Sequence, residues 1–243
     1  MTAGYPVQKP LSTRRILGTL AILLAILSLP ACKDRSAARP EKPEPSLFQT
    51  LTGDAPEDDP GHWDQFFNTR EYVFGKEPAR FLSEKVALIP VGRALDIAMG
   101  EGRNAVFLAK KGFAVEGVDI SEVAIRKARL LAREHAVEIR TTVADLASYP
   151  IRPDSYGLIV NIQYLQRSLI PQIKAGLRRG GYVVFENPTV EELKRDPGRN
   201  LRRDYLLETG ELRRLFSDFE IVEYSEGPGE KGQIVARLLA RKP

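Results

Sequence analysis

The chain has 243 residues, 43% of them hydrophobic and 28% charged, which excludes a wholly disordered chain, a collagen and a polytopic membrane protein. A single cysteine, Cys32, and two distant histidines, His62 and His135, exclude an intrachain disulfide and a structural zinc site, which needs about four such ligands. The formal charge is +4, yet Lys9, Arg14 and Arg15 are offset by no acid within residues 1–31, so the remainder is close to neutral; neither a nucleic-acid partner nor a metal is expected.

Residues 16–31 read ILGTLAILLAILSLPA, an uncharged apolar run directly after Arg14-Arg15. A basic start, a short apolar core and a small residue at its end describe a signal peptide or an N-terminal membrane anchor. The run is shorter than the roughly 20 residues a spanning helix prefers. Leu29-Pro30-Ala31-Cys32 resembles a bacterial lipobox, in which Cys32 is acylated, with Pro30 departing from the usual small or aliphatic residue. Lys and Arg flank the run on both sides, so charge fixes no orientation. A membrane partner through the N-terminus is expected, with the side of the membrane open. Residues 32–60, with Pro40, Pro43, Pro45, Pro56 and Pro60, have little to bury and read as an extended linker. The folded domain is expected over 61–243.

In chain order, Trp63, Phe66 and Phe67 form the stripe of a short helix, and a second helix covers Pro78–Leu88 with Phe81, Leu82 and Val86 inward. A buried strand over Ala94–Ala98 leads through Gly100-Glu101-Gly102 into a helix over Arg103–Lys111 that Gly112 ends. A strand over Ala114–Val118 ends at Asp119, and Ser121 caps a helix running to about His135. Strands follow at Ile139–Val143 and Leu158–Val160. A helix over Ser168–Leu177 accommodates Pro171 in its first turn. Gly180-Gly181 turns into a strand at Tyr182–Phe185, a helix covers Glu211–Phe216, and strands at Phe219–Tyr224 and Gln233–Ala240 flank Gly227-Pro228-Gly229. The alternation predicts a parallel α/β sheet with helices on both faces and an antiparallel terminal pair. Ligand chemistry then belongs beyond the carboxyl ends of the strands, at the switch point.

Three features meet there: the glycine turn after the first strand, Asp119 at the tip of the second and Asp145 past the third. Glycines admit close approach of the backbone, Asp119 can accept from vicinal ribose hydroxyls, and Asp145 can accept from an adenine amino group. Gly100-x-Gly102-x-x-Ala105 also matches a dinucleotide fingerprint. Asp96 inside the first strand argues against it, because a pyrophosphate wants apolar surroundings whereas a cationic ligand wants an anion.

These residues resemble class I S-adenosylmethionine-dependent methyltransferases, in particular the tellurite-resistance/thiopurine-type group of small bacterial enzymes. The resemblance is carried by Trp63-Asp64, Tyr72-x-Phe74-Gly75-x-x-Pro78, ALDIAMGEGRNAVFLAKKG, GVDIS, VADL, YLQRSLIPQIKAGLRRGGYVVFEN and YLLETGELRRLF. It implies a Rossmann-like sandwich with a mostly parallel seven-stranded sheet and an antiparallel terminal hairpin strand. It implies S-adenosyl-L-methionine as cofactor and a small-molecule acceptor such as a thiol or a metalloid oxyanion. It also implies that Asp96 holds the methionine amino group, that Ala98, Gly100 and Gly102 wrap the methionine and ribose, and that Asp119 holds the ribose hydroxyls. Ile120 would pack on the adenine, Asp145 and Leu146 would contact its edge, Asn161 would lie beneath methionine and acceptor, and Tyr72 and Phe74 would form a lid. Ala98 replaces the usual first glycine of the run, which requires a negative φ and room for a methyl group.

No catalytic residue is identified. Asn161, Tyr164 and Glu186 are the candidates, Glu186 as a general base. Arg202-Arg203-Asp204 reads as a solvated face and His135 as inert. A membrane-tethered binding or sensing module without turnover is the alternative from a different class, and an NAD-linked reductase a third.

Overall fold

The computed structural model describes residues 59–195 and 201–243, together with Met1. The targeting segment, Cys32 and nearly all of the linker lie outside the described residues. Among the described residues, no helix is long and apolar enough to cross a membrane.

Two short helices come first, α1 (Pro60–Phe67) and α2 (Arg80–Lys85), the latter continued by a single 3₁₀ turn over Val86–Leu88. The sheet core then follows as β1 (Arg93–Ile97), α3 (Arg103–Lys110), β2 (Ala114–Asp119), α4 (Glu122–Glu134), β3 (Arg140–Val143) and β4 (Tyr156–Ile162). The second half is α5 (Ile170–Gly176), β5 (Leu177–Pro188), α6 (Glu191–Arg195), α7 (Glu211–Leu215), β6 (Glu220–Pro228) and β7 (Ile234–Arg241).

The helix starts have local causes. Asp59 accepts from Gly61 N–H to open α1, and Ser121 Oγ accepts from Ala124 N–H at 3.0 Å to open α4. Asp64 of α1 reaches the same end of α4, accepting from Ser121 Oγ–H at 2.6 Å and from Val123 N–H at 3.0 Å, which fastens α1 to the α/β core. Pro171 sits in the first turn of α5, where no intrahelical N–H is lost.

The seven strands lie in the order β3-β2-β1-β4-β5-β7-β6. Pairings from β3 across to β5 are parallel; β7 pairs antiparallel with both β5 and β6. Side chains alternate between the two faces. Leu95, Ile97, Ile159 and Phe185 face one cluster with Leu212 and Phe216. Ala94, Leu158, Val160 and Val184 face the other, with Phe81, Leu82 and Leu108. Burial on both faces explains why the parallel strands read as apolar runs rather than alternating ones. The exception is Asp96, on the same face as Ala94 and 1% exposed.

Boundaries differ from expectation in three places. Gly180-Gly181 does not precede the fifth strand but lies within it, where the pairing with β4 jumps from Tyr156–Leu177 to Leu158–Tyr182. The last turn falls after Pro228, not at Gly227-Pro228-Gly229, because β6 and β7 stay paired out to Pro228–Ile234. Helix α6 was not expected; its five residues carry no apolar stripe long enough to show a period.

Candidate active site

The sheet order reverses direction between β1 and β4, and a cleft opens at the carboxyl ends of the strands there. Ala98 to Glu101 after β1, Asp119 and Ile120 after β2, Ala144 to Leu146 after β3 and Ile162 to Tyr164 after β4 line it. Trp63, Phe67, Phe74 and Gly75 form its aromatic side. The rings of Trp63 and Phe67 stack with centroids 6.1 Å apart, and Phe67 meets Phe74 at 6.3 Å.

Asp119 is fixed by the backbone on both oxygens. Oδ2 accepts from Gly100 N–H at 2.7 Å and Oδ1 from Ser121 N–H at 2.9 Å. Burial pushes its pKa up to about 6, against the pull of the N–H groups of Ser121, Gly100 and Ile120. Each oxygen keeps a second lone-pair direction for a ligand hydroxyl.

Asp96 lies beneath the glycine turn. Burial raises its pKa to about 7, opposed by Arg103 and by the Ala105 N–H and reinforced by Asp119. Its Oδ2 has no hydrogen-bond partner. Such an atom is costly unless something charged completes it. Asn161 Oδ1, at the neighbouring strand end where Ile97 pairs with Asn161, is also without a partner. Asp96 pairs with Val160 and Ile97 with Asn161, so the two orphaned oxygens stand on opposite faces of the sheet, and each is open to a hydrogen-bond donor.

Asp145 lines the cleft and accepts from Ala147 N–H at 2.8 Å through Oδ1 only. Glu101 pairs with Lys127 and accepts from Phe74 N–H at 3.4 Å. Arg103, which sequence reasoning passed over, lines the cleft and donates to Phe74 O at 3.4 Å. Gln163, also passed over, lines it in a left-handed conformation, φ 61°, its N–H donating to Glu186 O at 2.7 Å. Its place just past a buried strand end at the switch point was the available signal.

Four expectations need correction. Ala98 does not have the required negative φ; it stands at φ 49°, left-handed, so the methyl group is accommodated at a backbone cost that glycine would avoid. Gly102 does not line the cleft. A Cβ there would come 2.7 Å from Ala128 Cβ, so this glycine serves the close packing of α3 on α4. Tyr72 is no lid: its hydroxyl donates to Lys127 O at 3.1 Å and its ring packs with Val106 and Leu131 beside α4, leaving Phe74 at the cleft. Asp96, expected to hold the amino group directly or through water, and Asn161, expected to lie beneath methionine and acceptor, are not among these corrections: both are 1% exposed and lie below the lining. Glu186 is no candidate base. It is buried, does not line the cleft, and accepts from Arg237 Nε–H at 2.8 Å. Tyr164 does line the cleft, with its hydroxyl donating to Gln166 Oε1 at 2.7 Å.

With this geometry in view, residues 64–236 match the family described as tellurite resistance protein TehB. The chain belongs to the TehB family. A TehB of Haemophilus influenzae, named "Probable S-adenosyl-L-methionine-dependent methyltransferase TehB", is 26% identical over 142 residues, 57% of this chain and 49% of that protein. "Hemagglutinin 1" of Eikenella corrodens is 26% identical over 156 residues, 61% of this chain and 50% of that protein. The chain spans about half the length of the curated relatives it matches. The crystal structure of TehB from Haemophilus influenzae superposes with a TM-score of 0.57 at 21% identity, covering 76% of this chain and 67% of that one. The mostly parallel seven-stranded sheet with its antiparallel terminal strand is therefore the Rossmann-like fold of that structure.

Proposed function

We propose that this protein transfers the methyl group of S-adenosylmethionine to a small acceptor. The observation that carries the reading is the buried Asp96 with an orphaned oxygen, directly under a cleft whose next strand end presents a backbone-fixed Asp119. The printed name of the Haemophilus influenzae relative is in keeping with it.

The residues fit an adenosyl sulfonium. Glu101, Asp119 and Asp145 line the cleft and Asp96 underlies it, against Arg103 as the one lining cation among the described residues. Asp96 would take the amino group, Asp119 the ribose hydroxyls and Asp145 the adenine amino group, with Ile120 and Leu146 against the base. When bound, the sulfonium supplies an already activated methyl group. The protein then needs only to hold an acceptor in line with it and keep water out, and positioning alone accounts for much of such a rate. Phe67, Phe74 and Trp63 exclude water. A dinucleotide fits less well, because its pyrophosphate at the start of α3 would meet the Asp96 carboxylate.

The acids of the cleft serve the nucleoside and amino ends, and Glu186 is committed to Arg237. An acceptor that arrives nucleophilic, such as a thiolate or a metalloid oxyanion, suits this arrangement. The apolar run before Cys32 supports a membrane-associated protein, either lipoprotein or N-terminally anchored.

Calorimetry of the full-length chain with S-adenosylhomocysteine tests the site. Micromolar binding that is lost in Asp119→Ala is expected, and no binding to the wild type refutes the proposal. Transfer of labelled methyl to a panel of thiols, metalloid oxyanions and small phenols identifies the acceptor. Membrane fractionation of wild type and Cys32→Ser tests the anchoring.

A further inference from the structure

Charge is segregated along the strands. The carboxyl edge of the sheet holds the acids of the cleft, Glu101, Asp119 and Asp145. The opposite, amino edge is basic. Arg93 opens β1, Arg140 opens β3, and Arg178-Arg179 stand in the irregular start of β5. Helices between parallel strands run back towards this edge, so Lys111 at the end of α3 and Arg133 in the last turn of α4 join it. All six side chains are exposed.

These charges are not neutralised locally. Among the described residues, no carboxylate lies within ion-pair distance of Lys111, Arg133, Arg140, Arg178 or Arg179. Arg93, Arg133 and Arg140 share one groove with Glu116 and Glu138. Glu116 is already filled, accepting from Arg152 at 3.0 Å and from the Tyr149 hydroxyl at 2.9 Å. The patch continues across the sheet, because Arg178 Nη2 stands 3.6 Å from where a Cβ on Gly92 would lie, at the entry to β1. A concentration of like charge of this kind is stabilised by an anionic surface.

The apolar groups beside it indicate which surface. Leu88 is 56% exposed and Val91 59%, both in the segment that leads into Arg93. Val91 Cγ1 stands 3.7 Å from where a Cβ on Gly112 would lie, next to Lys111. Exposed aliphatic side chains among cations suit lipid, where the charges meet headgroups and the apolar groups enter the interface. A nucleic-acid backbone offers those aliphatics nothing.

We propose that the amino edge of the sheet, with Leu88 and Val91, docks on an anionic lipid surface and turns the cleft away from it, so that donor and acceptor enter from the aqueous side. This deepens the reading of a membrane-associated protein and rests on it. The apolar run over 16–31 supplies one attachment and the basic edge a second, and a single weak attachment needs a second to hold.

The test reads attachment and orientation separately. Full-length protein carrying Cys32→Ser and either Val91→Cys or Val143→Cys is labelled with an environment-sensitive fluorophore. Val143 is 44% exposed at the carboxyl end of β3, on the cleft side. Each sample is mixed with vesicles of phosphatidylcholine alone or with about one third phosphatidylglycerol, and flotation of the same samples reports attachment by any route. The probe at position 91 should brighten and shift to the blue on the anionic vesicles only, and salt at about 0.5 M should reverse the change. The probe at position 143 should not respond. Arg140→Gln/Arg178→Gln/Arg179→Gln, which removes three solvated charges, should keep the urea midpoint and need about 100-fold more anionic lipid for the same response. Equal responses on neutral and anionic vesicles overturn the proposal, as does a response at 143 in place of 91. Flotation without a response at 91 keeps the N-terminal attachment and overturns the docking. A response at 91 on anionic vesicles without flotation on neutral ones supports the docking and removes the apolar run as an unaided anchor. Binding of duplex DNA at the 91 probe with no response to vesicles gives this face to nucleic acid and overturns the proposal.

Discussion

Gly100 donates its N–H to Asp119 Oδ2 at 2.7 Å, so the turn after β1 is buttoned to the tip of β2 by the same carboxylate proposed to hold ribose. Asp119→Asn offers one acceptor oxygen where the structure uses two. One of the Gly100 and Ser121 N–H groups is then stranded in a buried place. The variant should lose about 1–3 kcal/mol of stability, measured by urea unfolding, and bind S-adenosylhomocysteine more weakly. An unchanged unfolding midpoint would show that the buttoning contributes nothing.

Asp96 gives a pH signature in two experiments. Its folded-state pKa of about 7 is raised above the ordinary carboxylate value of 3.8, so the folded state binds the proton more tightly than the unfolded state. Stability should be fully present below about pH 4, decline as pH rises towards 7, and level off above it. Asp119, raised to about 6, adds to the lower part of that window. Asp96→Asn should flatten the slope between pH 6 and 7. Binding of a ligand ammonium needs the deprotonated form, so S-adenosylhomocysteine should bind about tenfold more weakly at pH 6 than at pH 8. That ratio should vanish in Asp96→Asn.

Gly102 and Ala128 meet where α3 crosses α4. Gly102→Ala adds a Cβ at 2.7 Å from that of Ala128 and imposes a side chain on φ 84°. A loss of about 2–3 kcal/mol is expected in chemical denaturation. The loss should be smaller when Ala128→Gly is already present, because the clash is then relieved and only the backbone strain remains. Equal losses in both backgrounds would contradict the packing role.

Ala98 makes the opposite prediction. Replacing it by glycine at φ 49° removes left-handed strain of about 1–2 kcal/mol and gives back part of that through the freer unfolded chain. A gain of up to about 1 kcal/mol should appear in the urea midpoint.

The sequence displayed the strand ends and hid the depths. Asp119, Asp145 and Gly100 were legible because each punctuates an apolar run at a strand terminus, and that position in an α/β sheet is fixed by connectivity. Glu186 looked like a base because its partner Arg237 is 51 residues away on β7, a pairing that only the antiparallel register creates. Tyr72 looked like a lid because it stands two residues from Phe74; which of the two faces the cleft depends on how an irregular segment lies on α4. Gly102 satisfied a ligand motif, yet a glycine demanded by a neighbouring helix is indistinguishable in one dimension from a glycine demanded by a ligand. Arg103 had no partner pattern to announce it, and Gln163 only its place just past a buried strand end; its left-handed backbone is invisible in one dimension.

Met99 follows the strained Ala98, and its sulfur occupies the notch over Gly117, where a Cβ would sit only 2.1 Å from Sδ. The thioether thus stands in for the side chain that β2 lacks beside Asp96, since Asp96 and Gly117 are register partners. Positions 99 and 117 therefore amount to a single volume divided between two strands. A homologue with a bulkier residue at 117 must carry a smaller one at 99, and a laboratory exchange at either place should succeed only when the other is changed in compensation.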